Sequence, residues 1–461
     1  MSTQTILEPS RTQDTAAPAE ATVAVSKPPK IVIAGGGAAG LELATRLGRN
    51  LGKRKLADIT LIEKKRTHLW KPLLHSIAAG SMDPSEQELN YLAQAHWRHF
   101  HYKFGEMIGL DRARKLVQLA STHDEDGREI TPVRSIPYDT LIIAVGSITN
   151  DFGTPGVAEY AIPLETTEQA VRFNRRLVNG LIHANTQVAP VQPGQLHVAI
   201  IGAGATGTEL AAELHRTARQ VVAYGLDRVD AEKDIRIILI EAAPRILPAL
   251  PESVSVAALK VLEGLPVDVK TGAFVSEVTA DGVRLASGEF IPAGLVVWSA
   301  GVKAPEFLRD LDGLETNKIN QLVVNRTLQT TRDPNIFAIG DCAACPRPGF
   351  DAPVPPRAQA AHQEASHLVT QMRRLLDGKE LQPFTYRDFG SLVSFGHYST
   401  IGSLMGFLVG RSFFIEGYFA RIMYRSLHYM HEMALYGFLK ASIRSLARGL
   451  SRSAEPTVKL H

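Results

Sequence analysis

Cysteine is almost missing: Cys342 and Cys345 are the two in 461 residues. Two cannot build a disulfide framework, so a reducing compartment is expected. Long apolar runs are missing too. No uncharged stretch approaches the ~18 residues of a bilayer span, so any membrane contact should be peripheral. Charge of one sign is scarce, with 50 Lys and Arg against 47 Asp and Glu and a net +3. That gives no global case for nucleic-acid binding. Residues 1–28 hold Ser, Thr, Ala, Pro and Glu but no apolar h-region. They read as a disordered tail, not a secretory signal. The chain is 45% apolar and 21% charged, the make-up of a globular protein of two or three domains.

A patterned segment begins at Lys30. Ile31, Val32 and Ile33 have the unbroken apolarity of a buried parallel strand. Gly35, Gly37 and Gly40 follow in G-x-G-x-x-G spacing, then a helical pattern through Leu41, Leu43, Ala44 and Leu47, then a second strand closed by Glu63. The first glycine permits a tight turn, the second lets backbone touch a pyrophosphate, and the third lets helix and strand pack closely. The helix N-terminus offers N–H groups to phosphate, and the terminal acid accepts from ribose hydroxyls. The unit returns at Val198–Ile201, with Gly202, Gly204 and Gly207 and a second strand ending in Glu241. One such fingerprint is weak evidence. Two complete copies predict two dinucleotides, one held and one exchanged.

Thr330 to Asp341 reads T-T-R-D-P-N-I-F-A-I-G-D. With Gly340 and Asp341, it resembles the second flavin-binding motif of two-dinucleotide-domain flavoproteins. Tyr138 to Gly146, containing Ala144 and Gly146, resembles their connecting strand. The resemblance implies a glutathione-reductase-like α/β architecture of two Rossmann-like domains. The FAD-binding domain would comprise 29–150 and 320–390, the NADH-binding domain 151–319, and the C-terminal region 391–461. Glu241 favours NADH over NADPH, because a carboxylate accepts from a 2′-hydroxyl and repels a 2′-phosphate; Arg245 nearby weakens that preference.

The disulfide reductases of this architecture carry a cysteine pair after the first unit. Lys71 to Gly80 contains none, so another acceptor must reach the flavin. Arg357 to Gln363 reads R-A-Q-A-A-H-Q. It resembles the A-Q-x-A-x-Q signature of type II NADH:quinone oxidoreductases, non-pumping respiratory dehydrogenases. Similarity continues in Trp298–Val302 around Gly301, in Gly340–Ala343, in Gly390–Ser394, in Gly402–Gly406 and in the terminal Val458–His461. The bacterial branch is the nearest in kind. The resemblance implies one non-covalent FAD, NADH as substrate, and a membrane quinone, ubiquinone or menaquinone, as acceptor. It implies a peripheral position on the cytoplasmic face of the inner membrane, and it leaves a homodimer open. Gln359 and Gln363 would lie near the quinone head group, Lys71 near the flavin ring, and Glu209 would handle protons. Two solvated glutamines and a dipole-stabilised acid are the plainer readings; Glu42 holds the same offset after Gly40 as Glu209 after Gly207. Some members have a lysine where this chain has Phe389, so no lysine role carries over.

A sulfide:quinone oxidoreductase is the main rival, and a flavin-bound redox sensor the non-catalytic one. Cys342-Ala343-Ala344-Cys345 can be read as a redox dithiol or half a zinc site; no second cysteine pair completes a four-cysteine site, and no metal is expected. His428 and His431 read as packed or interfacial. Positive charge gathers at the end: residues 401–461 hold eight Lys or Arg and three Asp or Glu. Lys440, Arg444, Arg448 and Arg452 recur every four residues, with Leu439, Ile443, Leu446 and Leu450 roughly opposite. The expectation is an amphipathic helix with its basic face toward anionic lipid headgroups. A core-facing helix with a solvated basic side fits the same pattern.

Overall fold

The computed structural model describes residues 27–396, 398–405, 412–451, 456, 458 and 459. Residues 1–26 of the expected tail, Gly406, Arg452, Leu460 and His461, and the side chains of Phe413, Phe414, Tyr418 and Phe419 lie outside the described residues.

Two parallel sheets carry the architecture. In the first, Lys30–Ala34 sits between Thr140–Ile143 and Asp58–Glu63, and Asp333–Ala338 and His101–Phe104 flank them, all parallel. Gln329–Thr330 closes one edge antiparallel. In the second, His197–Ile201 sits between Leu295–Trp298 and Arg236–Ile240, with Ala161–Pro163 and Val267–Lys270 outside. The central strands are buried on both faces, which is why their sequences are unbroken runs of Ile, Val and Leu. Each sheet also feeds a three-stranded antiparallel layer: Met107–Asp111, Leu116–Leu119 and Arg134–Pro137 in one, Val275–Thr279, Gly282–Leu285 and Phe290–Pro292 in the other. The fold class is thus the expected doubled α/β one, with C-terminal helices added.

The chain passes between the units on two short strands, Ile148–Thr149 and Val302–Lys303, paired antiparallel. After the return, Ala304, Leu308, Leu311 and Leu314 already pack in the first unit's core. These residues precede the expected boundary at 319. Leu74, Ile77 and Ala78, from the first unit's sequence, pack in the second unit's core. Helix Ala38–Asn50 buries Leu41, Leu43 and Leu47 in the first core, where Ala361, Ala365 and Leu368 of helix Ala358–Leu376 are also buried. Each fully buried Leu contributes about 1.5–3 kcal/mol.

A three-stranded antiparallel sheet, Gly390–Ser394, Thr400–Met405 and Ser412–Glu416, leads to helices Gly417–Tyr436 and Phe438–Ser451. Gly437, at φ +85°, makes the corner between them. Among the described residues no helix is long and apolar enough to cross a membrane.

The last helix turns opposite to expectation. Arg448 pairs with the buried Glu432 and reaches Gln87 at 3.2 Å, and the Arg444 guanidinium lies 4.7 Å over the Tyr436 ring. The arginines therefore face the protein. Phe438, Leu439, Ile443, Leu446 and Leu450 face outward, each 59–71% exposed. A buried carboxylate on the neighbouring helix decides the rotation, because leaving Glu432 unpaired would cost several kcal/mol.

Candidate active site

The two glycine turns repeat one another in backbone conformation. Gly35 and Gly202 sit at φ +105° and +98°, and a Cβ on either would strike the strand-end segment of its own sheet, 2.3 Å from Ala144 O and 2.7 Å from Ala300 Cα. Gly40 and Gly207 press on the carbonyls of Gly35 and Gly202, at 1.9 and 2.0 Å from where a Cβ would stand. Gly37 and Gly204 differ from these: nothing lies within 4 Å of their added Cβ. Each is the N-cap of its helix, with no side-chain cap and no acid in the first turn. The leading N–H groups are left for an anion.

The two terminal acids also match. Glu63 accepts from Gly36 N at 2.6 Å and Lys65 N at 3.0 Å; Glu241 accepts from Ala203 N at 2.7 Å and Ala243 N at 2.9 Å. Each holds its turn shut, and a carboxylate keeps lone pairs for ribose hydroxyls. The sequence reading missed a further repeat: Ala144-Val145-Gly146 and Ser299-Ala300-Gly301 end equivalent strands, with glycines at φ +73° and +65°.

A cleft of about 2410 Å³ runs from Gly35–Ala39 past Gly340 and Asp341 to Gly204 and Glu209, and on to Gln359 and Gln363. Glu63, Lys71, Ala144, Gly146 and Gly301 also line it, whereas Gly202, Gly207 and Glu241 form the turn behind its wall. Ordinary small-molecule pockets span about 300–1,000 Å³, so this one has room for more than one ligand.

Asp341 accepts from Ser147 Oγ at 2.8 Å, and its carbonyl accepts from Gln321 Nε2 at 2.9 Å. Gly340 N donates to the buried Glu364 at 2.6 Å; burial, then the Asp341 charge, pushes the Glu364 carboxyl up to about 8. Lys71 Nζ donates to Ser147 O at 3.2 Å. Gln359 and Gln363 face the cleft with their amides engaged. Gln359 donates to Gly390 O at 3.0 Å and accepts from Phe389 N at 3.1 Å; Gln363 and the Arg387 backbone exchange bonds of 2.8 and 2.9 Å. The two glutamines bind the helix to the strand that follows, and Gln363 keeps one N–H and one lone pair free by count.

Glu209 is buried beside His75, which links it to Glu213. It accepts from Ser394 N at 2.8 Å, and His75 lies 3.4 Å from Glu209 and 3.4 Å from Glu213. Burial raises the Glu209 carboxyl above its ordinary range, against lowering by His75 and by the Ser394 and Tyr424 hydrogen bonds. Nothing in the sequence tied His75 or Tyr424 to Glu209, because they are far apart along the chain. Glu42, at the matching offset, meets different company: Arg46 at 2.9 Å, Ser366, and His362 in contact. His431 meets the His362 ring edge-on, with centroids 5.2 Å apart, and its Nε2 lies 3.0 Å from His68, whose ring burial pulls down to about 4.

The pyridine nucleotide-disulphide oxidoreductase family matches residues 29–365. A type II NADH:quinone oxidoreductase of Haemophilus influenzae is 41% identical over 443 residues, covering 94% of this chain and 99% of the relative. The chain belongs to the type II NADH:quinone oxidoreductases. A relative of the same name from Mycobacterium tuberculosis is 29% identical, covering 92% of this chain and 87% of the relative. NDH2 of Plasmodium falciparum, solved in complex with NADH, superposes with TM-score 0.76 at 19% identity, covering 94% and 100% of the two chains. A sulfide:quinone oxidoreductase of Aquifex aeolicus superposes at TM-score 0.69 and 19% identity, covering 89% and 92%, so the fold alone is shared with other chemistries.

This type II enzyme is a flavoprotein-class oxidoreductase whose fold carries no exposed thiol to work with. Cys342 and Cys345 are buried and unpaired, and burial pushes each thiol up to about 12. A thiol so held is inert as a nucleophile at neutral pH. Among the described residues no group of His, Cys, Asp and Glu is arranged to hold a metal.

Proposed function

We propose that the chain carries out NADH:quinone oxidoreduction around one non-covalent FAD. The FAD would lie on 29–150 and 320–390 and NADH on 151–319. The observation that carries this reading is the continuity of the cleft: both open glycine caps and the glutamine helix line one space. The fit to a dinucleotide rests on the uncapped N-termini and on the cradle at Gly37, where any side chain would occupy the phosphate's place. Gly35, Gly37, Gly40 and Glu63 would hold the adenosine diphosphate half, with Ala144, Gly146, Gly340 and Asp341 along the ribityl chain and Lys71 near the ring. When bound, the flavin supplies two-electron chemistry, taking hydride from NADH and returning both electrons to quinone.

The residues' own work is positioning and proton supply. Gly202, Gly204, Gly207, Glu241 and Gly301 would seat NADH. Gln359 and Gln363 fix the wall at 387–390 that a quinone head group would meet. Reduction of quinone by NADH consumes one proton from the medium. Glu209, raised by burial and bonded within the His75–Glu213 cluster, is suited to hold that proton at its carboxyl and release it into the cleft. The exposed apolar stripe Phe438–Leu450 would lie in the bilayer surface on the cytoplasmic face, putting the cleft within reach of a lipid-soluble quinone.

An absorbance experiment tests the reading. Anaerobic NADH should bleach a yellow protein, a short-chain quinone should restore it, and the released cofactor should co-migrate with FAD. A chromophore that NADH leaves unbleached, or efficiency with NADPH equal to that with NADH, would overturn it. The sulfide reading is disfavoured because both cysteine thiols are buried.

A further inference from the structure

The inward turn of the last helix takes away much of the charge that should have met lipid headgroups, although Lys440 stays exposed. Arg444 and Arg448 are engaged by Glu432 and cannot supply it. Cationic residues are concentrated elsewhere, in a hollow of about 480 Å³ lined by Arg49, Lys53, Arg54, Arg98, Trp97 and His99. None of these four Lys or Arg side chains pairs with an acidic side chain among the described residues.

The hollow is built, not incidental. Its walls are the end of helix Ala38–Asn50 with the turn Gly52–Arg54, and the turn after helix Tyr91–Arg98. They approach so closely that a Cβ at Gly48 would stand 2.2 Å from Arg98 O, and one at Gly52 2.2 Å from His99 O. His99 adopts φ +61° to make the corner. Arg98 Nε is sealed from solvent and has no hydrogen-bond partner among the described residues. Its guanidinium is pulled below its ordinary range by burial and then by the like charge of Arg49. An uncompensated cluster of this kind is relieved by an anion with several acceptor oxygens.

Its position says which source supplies that anion. Trp97, 57% exposed, takes the Lys440 ammonium 5.1 Å over its ring, and Lys440 belongs to the helix that carries the exposed apolar stripe. Leu92 on the same short helix as Trp97 is also exposed. A tryptophan and a basic hollow beside an apolar stripe are the arrangement of a membrane interface, with the ring at headgroup depth. We propose that the hollow binds the phosphate of an anionic phospholipid in the bilayer on which the last helix lies. The proposal rests on the membrane reading above.

The test measures partition onto vesicles of phosphatidylcholine alone and of phosphatidylcholine with about one third phosphatidylglycerol, at fixed ionic strength. Each cation near an acidic surface is worth roughly fivefold in binding, so Lys53→Gln/Arg54→Gln should lose roughly 25-fold on the acidic vesicles. It should keep its binding to neutral vesicles and its turnover with a soluble quinone. Arg114→Gln/Arg128→Gln, in two hairpin turns outside the hollow and paired there with Asp111 and Asp126, is the control matched in net charge and should lose much less. Equal losses in both variants, or an intact acidic preference in the first, would overturn the site while leaving the membrane reading standing. A wild-type chain that binds neither vesicle would overturn both. Stabilisation of the wild type by inorganic phosphate, absent in the variant and unaccompanied by any vesicle preference, would assign the hollow to free phosphate instead.

Discussion

The two glycine-turn units share a backbone and differ in what surrounds it. Gly37 and Gly204 have nearly the same conformation, φ −65° and −70°, and the same empty space before them. If the units truly divide the labour, the same substitution should have two different outcomes. The Cβ of Gly37→Leu meets no clash and needs no positive φ, so the protein should fold, yet it should purify without bound flavin and without activity. Gly204→Leu should stay yellow and raise KM for NADH on the order of 100-fold, the scale of a misplaced reactant. A yellow Gly37→Leu, or a colourless Gly204→Leu, would reverse the assignment of the two ligands.

The next contrast lies two residues past each third glycine. Glu42 has the Arg46 guanidinium beside it at 2.9 Å and belongs to a salt-bridged cluster. Among the described residues Glu209 itself pairs with no Lys or Arg, although Arg216 lies 3.9 Å from its neighbour Glu213, and Glu209 is raised by burial. Glu209→Gln should lower kcat about 100-fold with KM for NADH little changed, the usual scale for losing a positioned proton donor. It should also flatten the pH profile of quinone reduction. Glu42→Gln should leave kcat within about twofold and cost about 1 kcal/mol of stability, as removal of one partner of a half-exposed ion pair does. Steady-state kinetics and denaturant unfolding on the two variants separate a chemical role from a structural one.

These contrasts mark where the sequence was readable. The glycine spacing and the terminal acids are local signals, because turn, cap and strand end lie within about forty residues of each other. Gly35, Gly40, Gly202 and Gly207 could be given their jobs from spacing alone. The partners of Glu209 could not, since His75, Ser394 and Tyr424 arrive from three remote segments. The last helix shows the same limit. Its four-residue period of arginines was legible, but its rotation depends on Glu432, a buried acid on the preceding helix that periodicity does not reveal. The glutamines at 359 and 363 were found by motif, yet the motif carried no hint that their amides clamp the backbone at 387–390.

The last contrast concerns an acid that only the first unit possesses. Glu364 accepts from Gly340 N beside Asp341, whereas in the second unit the hydroxyl of Ser299 bonds the turn carbonyls of Ile201 and Gly202. A hydroxyl does not titrate near neutrality, so near neutral pH this contact makes only the first unit's closure depend on pH. Burial puts Glu364 at about 8 in the folded chain, against an ordinary value of 4.5. Below about 4.5 it is neutral in both states and has no effect on their balance. Between that value and about 8 the folded chain holds a proton that the unfolded chain has released, so stability falls as pH rises, by at most about 1.4 kcal/mol per pH unit. Glu364→Gln keeps an acceptor for Gly340 N and cannot ionise. Its Tm should change less between about pH 5 and 8 than that of the parent chain, and above pH 8 it should be the more stable of the two. Parallel Tm–pH curves would mean that Glu364 stays charged in the fold and that the first turn is held by a carboxylate after all.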